Sequence, residues 1–270
     1  MIKCVIFDLD DTLFLTEEAA FRMENAVAAQ LGHAPMTRAA HRANWGKFLG
    51  EAITERIPGI DPKRFMSEFP KTMARFVRDG LIDQLSTANL QVLDDLRAQG
   101  KSVMVLTSRG HGEVKHLLKP KHVLYARIAA FYYRDNLEFT KPDPRIFDLI
   151  LSTHKLKPQE CVYVGDTLVD AQCAKSRGLK FIASLESELQ RKQDFDGIQV
   201  DAFIKKLPEA IDAINAINTA EVPTKVSEQA PAENVSESED HGVAAAPKGA
   251  KKIYSVGMSS AGVAEIRMIK

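Results

Sequence analysis

VIFDLDDTLF, residues 5–14, opens as a short β-rich apolar run and then meets Asp8, with Asp10, Asp11 and Thr12 following at once. The six residues 2–7, all Ile, Val, Phe or Cys except Lys3, are too few for a helix core and suit a strand buried on both faces. The same kind of run recurs at 102–107, 128–133, 161–165 and 180–184. Between these runs lie amphipathic stretches with helical spacing at 87–99, 111–118, 144–155 and 168–177. Gly100 and Gly178 stand just past two of them, where a left-handed residue ends a helix. Strands alternating with helices predict an α/β fold, a Rossmann-like doubly wound parallel sheet. Residues 201–218 add a last strand and helix, with Pro208 near the helix start.

The stretch 15–85 breaks this rhythm. It offers no strand, but apolar residues at helical spacing recur around 17–31, 37–49 and 61–77, which predicts a small all-helical cap domain inserted after the first strand. The catalytic core then comprises 1–14 and 86–218. From 219 to 249 the chain is rich in Ala, Glu, Ser, Pro and Val and nearly free of aromatics, too little apolar surface to offset its ordering entropy. The tail 219–270 is therefore expected to be disordered. Its last residues, 251–270, regain apolar side chains and could form a docking segment. No internal repeat is evident.

Lys plus Arg and Asp plus Glu number 36 each in 270 residues, so global charge favours neither nucleic acid nor an anionic membrane as partner. The N-terminal apolar run, broken by Asp8, is too short for a signal peptide, and no stretch approaches a membrane span. Cys4, Cys161 and Cys173 lack CxxC spacing; Cys4 and Cys161 open apolar runs and read as small buried hydrophobes. A cytoplasmic location is the expectation.

Ligands of a parallel α/β sheet bind beyond the carboxyl ends of its strands. Reactive side chains cluster at these ends: Asp8 and Asp10 after the first run, Thr107 and Ser108 after 103–106, and Asp166 and Asp170 after 161–164. Lys141 precedes the helical stretch at 144–155. Phosphate monoesters hydrolyse so slowly that enzymes accelerate them by up to about 10²¹-fold. A carboxylate can attack phosphorus and divide the reaction into two steps, provided the phosphoryl charge is masked. Asp8 is the candidate nucleophile, and Asp8 with Asp166 could hold a hard cation such as Mg²⁺. Lys141 adds a fixed positive charge, and Thr107 with adjacent N–H groups can bind phosphoryl oxygens. Asp10 is placed to protonate the leaving alcohol and then activate water. Gly165 lets the backbone turn closely before Asp166. Asp170, one helical turn beyond Asp166, can hold the metal's waters or Lys141. Asp11 and Asp143 read as turn and helix-start acids.

These residues resemble the haloacid dehalogenase-like hydrolase superfamily over about residues 1–218. Its four motifs occur in order as VIFDLDDTLF, VMVLTS, TKPDPRIF and VYVGDTLVDAQCAKSRG. The resemblance implies Mg²⁺-dependent hydrolysis of a small-molecule phosphate monoester through phospho-Asp8, with Asp10 as acid/base and, through its carbonyl, metal ligand. It implies Asp8 and Asp166 as further ligands, Asp170 beside them, and Thr107, Ser108 and Lys141 at the phosphate. Ser108-Arg109 departs from relatives that often carry Asn after the Thr. A sugar phosphomutase of the same superfamily, or a binding protein using its tail, are the alternatives. Dehalogenases lack the acid at the position of Asp10, which favours phosphoryl transfer. Arg22, His41, Trp45, Lys47 and Arg56 are candidate cap readers of the substrate. A phosphonate-cleaving relative would need a cap lysine, and Lys47, Lys63 and Lys71 are available. A small phosphorylated metabolite is the expected partner.

Overall fold

The computed structural model describes residues 1–45 and 47–220, together with the backbone of Ile253–Met258 and Ala264–Ile269. Six parallel strands form the central sheet: β1 (Cys4–Phe7), β2 (Ser102–Thr107), β3 (Ala130–Tyr133), β4 (Cys161–Gly165), β5 (Lys180–Ser184) and β6 (Ala202–Ile204). They are ordered β6-β5-β4-β1-β2-β3. The chain thus reverses direction across the sheet next to β1, where crossover loops diverge and leave a crevice. The ends of β1, β2 and β4, which carry the candidate residues, are neighbours at that crevice.

Alternation along the strands feeds two cores. Val5, Phe7, Val103, Val105, Val162 and Val164 face one side, under α5 (Thr87–Ala98) and α9 (Ala210–Ala220). Cys4, Ile6, Met104, Leu106 and Tyr163 face the other, under α7 (Asp148–Thr153) and α8 (Leu168–Arg177). With both faces covered, the strands must be apolar throughout, as their sequence is. All three cysteines are free and buried. No described helix is long and apolar enough to cross a membrane.

Between β1 and α5 the chain forms α1 (Thr16–Gln30), α2 (Arg38–Arg42), α3 (Leu49–Arg56) and α4 (Pro62–Arg78). These helices enclose their own apolar cluster, including Met23, Val27, Ile53, Phe65, Phe69, Met73 and Phe76. Asp61 caps α4 by accepting from Lys63 and Arg64 N–H, and Pro62 pre-sets its first turn.

Three helices depart from the spacing reading. The stretch 37–49 is not one helix: α2 stops at Arg42 and α3, unforeseen, starts at Leu49. In the turn between them the Asn44 carbonyl accepts from the Lys47 N–H (3.2 Å) and from Arg56 Nη2 (3.1 Å). The stretch 111–118 is helical only over α6 (His111–Val114), after which Leu117 N–H bonds Val114 O in a tighter turn. The stretch 144–155 opens as a 3₁₀ turn, Pro144–Phe147, before α7.

Of the tail 219–270 expected to be disordered, Thr219 and Ala220 complete α9, and the rest lies outside the described residues except for two stretches. Their backbones, β7 (Ile253–Met258) and β8 (Ala264–Ile269), pair antiparallel, and β7 adjoins β3 at Ala130↔Ser255.

Candidate active site

Asp8 is the first residue beyond β1, and its N–H still bonds the Val164 carbonyl at 2.9 Å, so the sheet fixes its backbone. Lys141 Nζ lies 2.9 Å from Asp8 Oδ1 and 2.7 Å from Asp170 Oδ1. It sits over the Tyr163 ring, 5.2 Å from the centroid. Asp170 also accepts from the Tyr163 hydroxyl (3.1 Å) and from the Thr167 hydroxyl (2.6 Å) and N–H (3.1 Å). Thr167 and Asp170 form a reciprocal capping box at the start of α8: the Thr167 hydroxyl accepts from the Asp170 N–H, and the Asp170 carboxylate from the Thr167 N–H. Gly165 permits this close approach, since a Cβ there would lie 2.8 Å from Asp170 Cβ and Cγ.

Asp166 is buried with far less support. Its hydrogen-bond partner among the described residues is the Thr12 hydroxyl, a long 3.5 Å away. Carboxylate oxygens of Asp8, Asp166 and Asp170 lie within 4.8 Å of one another. Burial pushes the Asp8 carboxyl up to about 7, with Lys141 opposing and Asp170 and Asp10 adding to the rise. Burial also raises Asp166 well above the carboxylate range, and Asp170, Asp8 and Asp11 raise it further. Burial works against the charge of Asp170 as well, but Lys141 and Thr167 outweigh it and hold that carboxyl low. Burial disfavours the Lys141 charge, and Asp170 and Asp8 overcome it, so the ammonium persists.

Three crowded acids thus share one ammonium, and two of them cannot ionise easily. That donor set, all hard oxygen and short of positive charge, fits a small divalent cation. Asp8 and Asp166 have oxygens to offer it, whereas both oxygens of Asp170 are already engaged.

Thr107 ends β2. Register Phe7↔Val105 sets it one position farther along than Asp8, and its hydroxyl accepts from the Arg109 N–H at 3.2 Å. Ser108 is exposed.

Asp10 is drawn to a residue whose role the sequence left unread. Arg109 donates from Nε to both Asp10 oxygens (3.1 and 3.0 Å) and from Nη2 to Oδ1 (2.5 Å). The opposite edge of the same guanidinium bonds Asp83, Nη1 to Oδ2 at 2.9 Å and Nη2 to Oδ1 at 2.8 Å. His116 Nε2 lies 2.8 Å from Asp83 Oδ2. The signal for Arg109 was its place directly after Thr107-Ser108, where it departs from the family pattern. Asp83 gave no signal, since it pairs across 26 residues with a residue of another element.

Burial disfavours the Asp83 charge, but Arg109 and His116 more than offset this and hold its carboxyl at about 2. A depressed folded value stabilises above the unfolded value of 3.8 and loses that contribution as pH falls toward 2. The pair should therefore add about 2 kcal/mol near neutrality. Urea unfolding of wild type and Asp83→Asn should show a gap that narrows between pH 4 and 2; a gap constant over that range would contradict it.

Among the candidate substrate readers, four are occupied within the helices. Arg22 bonds Glu18 at 2.7 Å, and Lys47 lies 3.1 Å from Glu55. His41 is buried against Glu17 (2.7 Å) and Arg56 against Glu24 (2.7 Å). Lys71, a possible cap lysine, pairs with Glu68 at 2.8 Å. Trp45 alone of the five reaches the loop after β1: its Nε1 donates to Asp11 Oδ2 at 2.8 Å. Asp11, at φ 55°, also accepts from Thr16 and Glu17 N–H at the start of α1. Its reading as a turn acid was incomplete, because it joins the loop to the helices.

A family model of haloacid dehalogenase-like hydrolases matches residues 5–184. The chain belongs to this family. Phosphoglycolate phosphatase from Xylella fastidiosa (strain 9a5c) is 27% identical over 188 residues, 68% of this chain and 80% of the relative. Pyrophosphatase PpaX from Bacillus cereus (strain ATCC 10987 / NRS 248) is 22% identical over 224 residues, 80% of this chain and 98% of the relative. CbbY from Rhodobacter sphaeroides, solved in complex with phosphate, superposes with a TM-score of 0.65 at 22% identity, covering 80% of this chain and 100% of that one. This last likeness concerns the fold. The family and its phosphatase relatives make this chain an enzyme, a phosphatase of the haloacid dehalogenase-like hydrolases.

Proposed function

We propose that the enzyme hydrolyses a small phosphate monoester with Mg²⁺, in two steps, through a phosphoryl group carried on Asp8. The observation that supports this best is the convergence of Asp8, Asp166, Asp170 and Lys141 at the ends of β1 and β4. Lys141 grips Asp8 Oδ1, which restricts the carboxylate and leaves Oδ2 without a hydrogen bond among the described residues. Asp8 attacks phosphorus, the ester P–O bond breaks, and Asp10 passes a proton to the departing alkoxide. Asp10 then takes a proton from water, the water oxygen attacks phosphorus, and the bond to Asp8 breaks to free phosphate. Lys141 and the Thr107 hydroxyl balance charge on the phosphoryl oxygens, with Ser108 at the exposed rim. Asp8, Asp166 and the Asp10 carbonyl would hold Mg²⁺, which when bound masks phosphoryl charge from the acids. Asp170 serves beside them by fixing Lys141.

The helical body of residues 15–85 acts as the cap, joined to the catalytic loop through Trp45 and Asp11. A cap closing over the crevice excludes water and favours small substrates over phosphoproteins. A phosphoglycolate phosphatase among the relatives supports a small phosphorylated metabolite as substrate class. Phosphate release from p-nitrophenyl phosphate and a panel of small alkyl phosphates tests this reading. Turnover should appear with Mg²⁺, vanish on chelation and return when Mg²⁺ is restored. Undiminished turnover in chelator would contradict the metal, and a phosphosugar isomer in place of free phosphate would contradict hydrolysis.

A further inference from the structure

Asp10 leaves the strand and sits in a loop, so the sheet does not aim its side chain as it aims Asp8. About a third of that side chain is exposed, at 33%. Its side-chain hydrogen bonds among the described residues all come from Arg109. A guanidinium fork sets the plane as well as the position of a carboxylate, which a lysine could not do. The fork, however, orients Asp10 only if it is itself held still. Asp83 does this on the opposite edge with two bonds, and His116 backs Asp83 in turn. The Arg109 side chain is 7% exposed, so the guanidinium has little room to swing. Asp83 lies between α4 and α5, on the segment where the chain returns from the helical body to the sheet.

We infer that Arg109 is the positioning residue for Asp10 and that Asp83 fixes Arg109 for this task. The chain Asp10–Arg109–Asp83 thereby aims the acid/base at the ester oxygen and ties its aim to the segment returning from the cap. This inference rests on the phosphatase reading given above.

The test compares Arg109→Lys, which keeps charge and loses the fork, with Asp83→Asn, which keeps shape and loses charge. Steady-state and pre-steady-state turnover is measured with Mg²⁺ on an alkyl phosphate and on p-nitrophenyl phosphate, per folded protein as read by circular dichroism. Poor aim of Asp10 should lower kcat on the alkyl ester roughly ten- to hundredfold in both variants, with KM little changed. The aryl ester needs no proton on its leaving group, so Asp8 should still take the phosphoryl group. Water attack still needs Asp10, so p-nitrophenol should emerge as a burst followed by slow turnover. A contact that only supports the fold would lower the thermal midpoint without a burst or a split between esters. A kcat within about threefold of wild type on both esters, with Asp8→Asn inactive, overturns the positioning role and leaves the phosphatase reading intact. An active Asp8→Asn overturns that reading instead.

Discussion

Asp8→Asn is expected to lower phosphate release on the order of 10³-fold or more, on every ester the wild type accepts. Asparagine has the same shape but no carboxylate oxygen to attack phosphorus, so neither step can begin. The fold should survive. Lys141 keeps Asp170 at 2.7 Å, and the Asp8 backbone stays bonded to Val164. The charge removed is one that burial already disfavours, as its rise to about 7 shows. Thermal midpoints of the two proteins should therefore be close, while Mg²⁺ should bind the variant more weakly because a candidate ligand has gone. A variant that keeps wild-type kcat would remove Asp8 from the chemistry.

Lys141→Met should produce the second largest effect, because the ammonium is the one cation in contact with Asp8 and Asp170 among the described residues. Methionine retains the apolar stem against Tyr163 but leaves three buried acids without a counter-charge. Removing a preorganised donor to the phosphoryl oxygens costs roughly 10²- to 10³-fold in kcat. Breaking a buried ion pair from one side adds about 3 kcal/mol of destabilisation. That cost should shrink in acid as the carboxyls take up protons, and shrink again when Mg²⁺ replaces the missing charge. Turnover on the panel and unfolding with and without Mg²⁺ measure both parts. Wild-type turnover, or a stability loss indifferent to Mg²⁺, would show that Lys141 does not govern this cluster.

Much of this site is legible from the chain because strand periodicity and the parallel-sheet rule are local signals. Runs such as VIFD and VYVGD mark where a buried strand ends, and the strand-end rule says what the next side chain faces. The other half of the site depends on pairings that no window contains. Arg109 could have been a solvated loop residue. Its meaning comes from Asp10 and Asp83, 99 and 26 residues away. Trp45 read as a candidate reader of the substrate, and its bond to Asp11 arises only when the inserted helices meet the loop. The turn between α2 and α3 likewise holds a contact no window contains: its Asn44 carbonyl accepts from Arg56, on the next helix.

The central claim is that Asp8 carries the phosphoryl group, and trapping that group tests it most directly. Enzyme turning over p-nitrophenyl phosphate with Mg²⁺ is quenched in acid within milliseconds, digested, and its peptides are weighed. The account predicts one added phosphoryl group on the peptide spanning residues 4–22, placed on Asp8 by fragmentation and absent from Asp8→Asn. An adduct on another residue, or undiminished turnover with no adduct at any quench time, would contradict it.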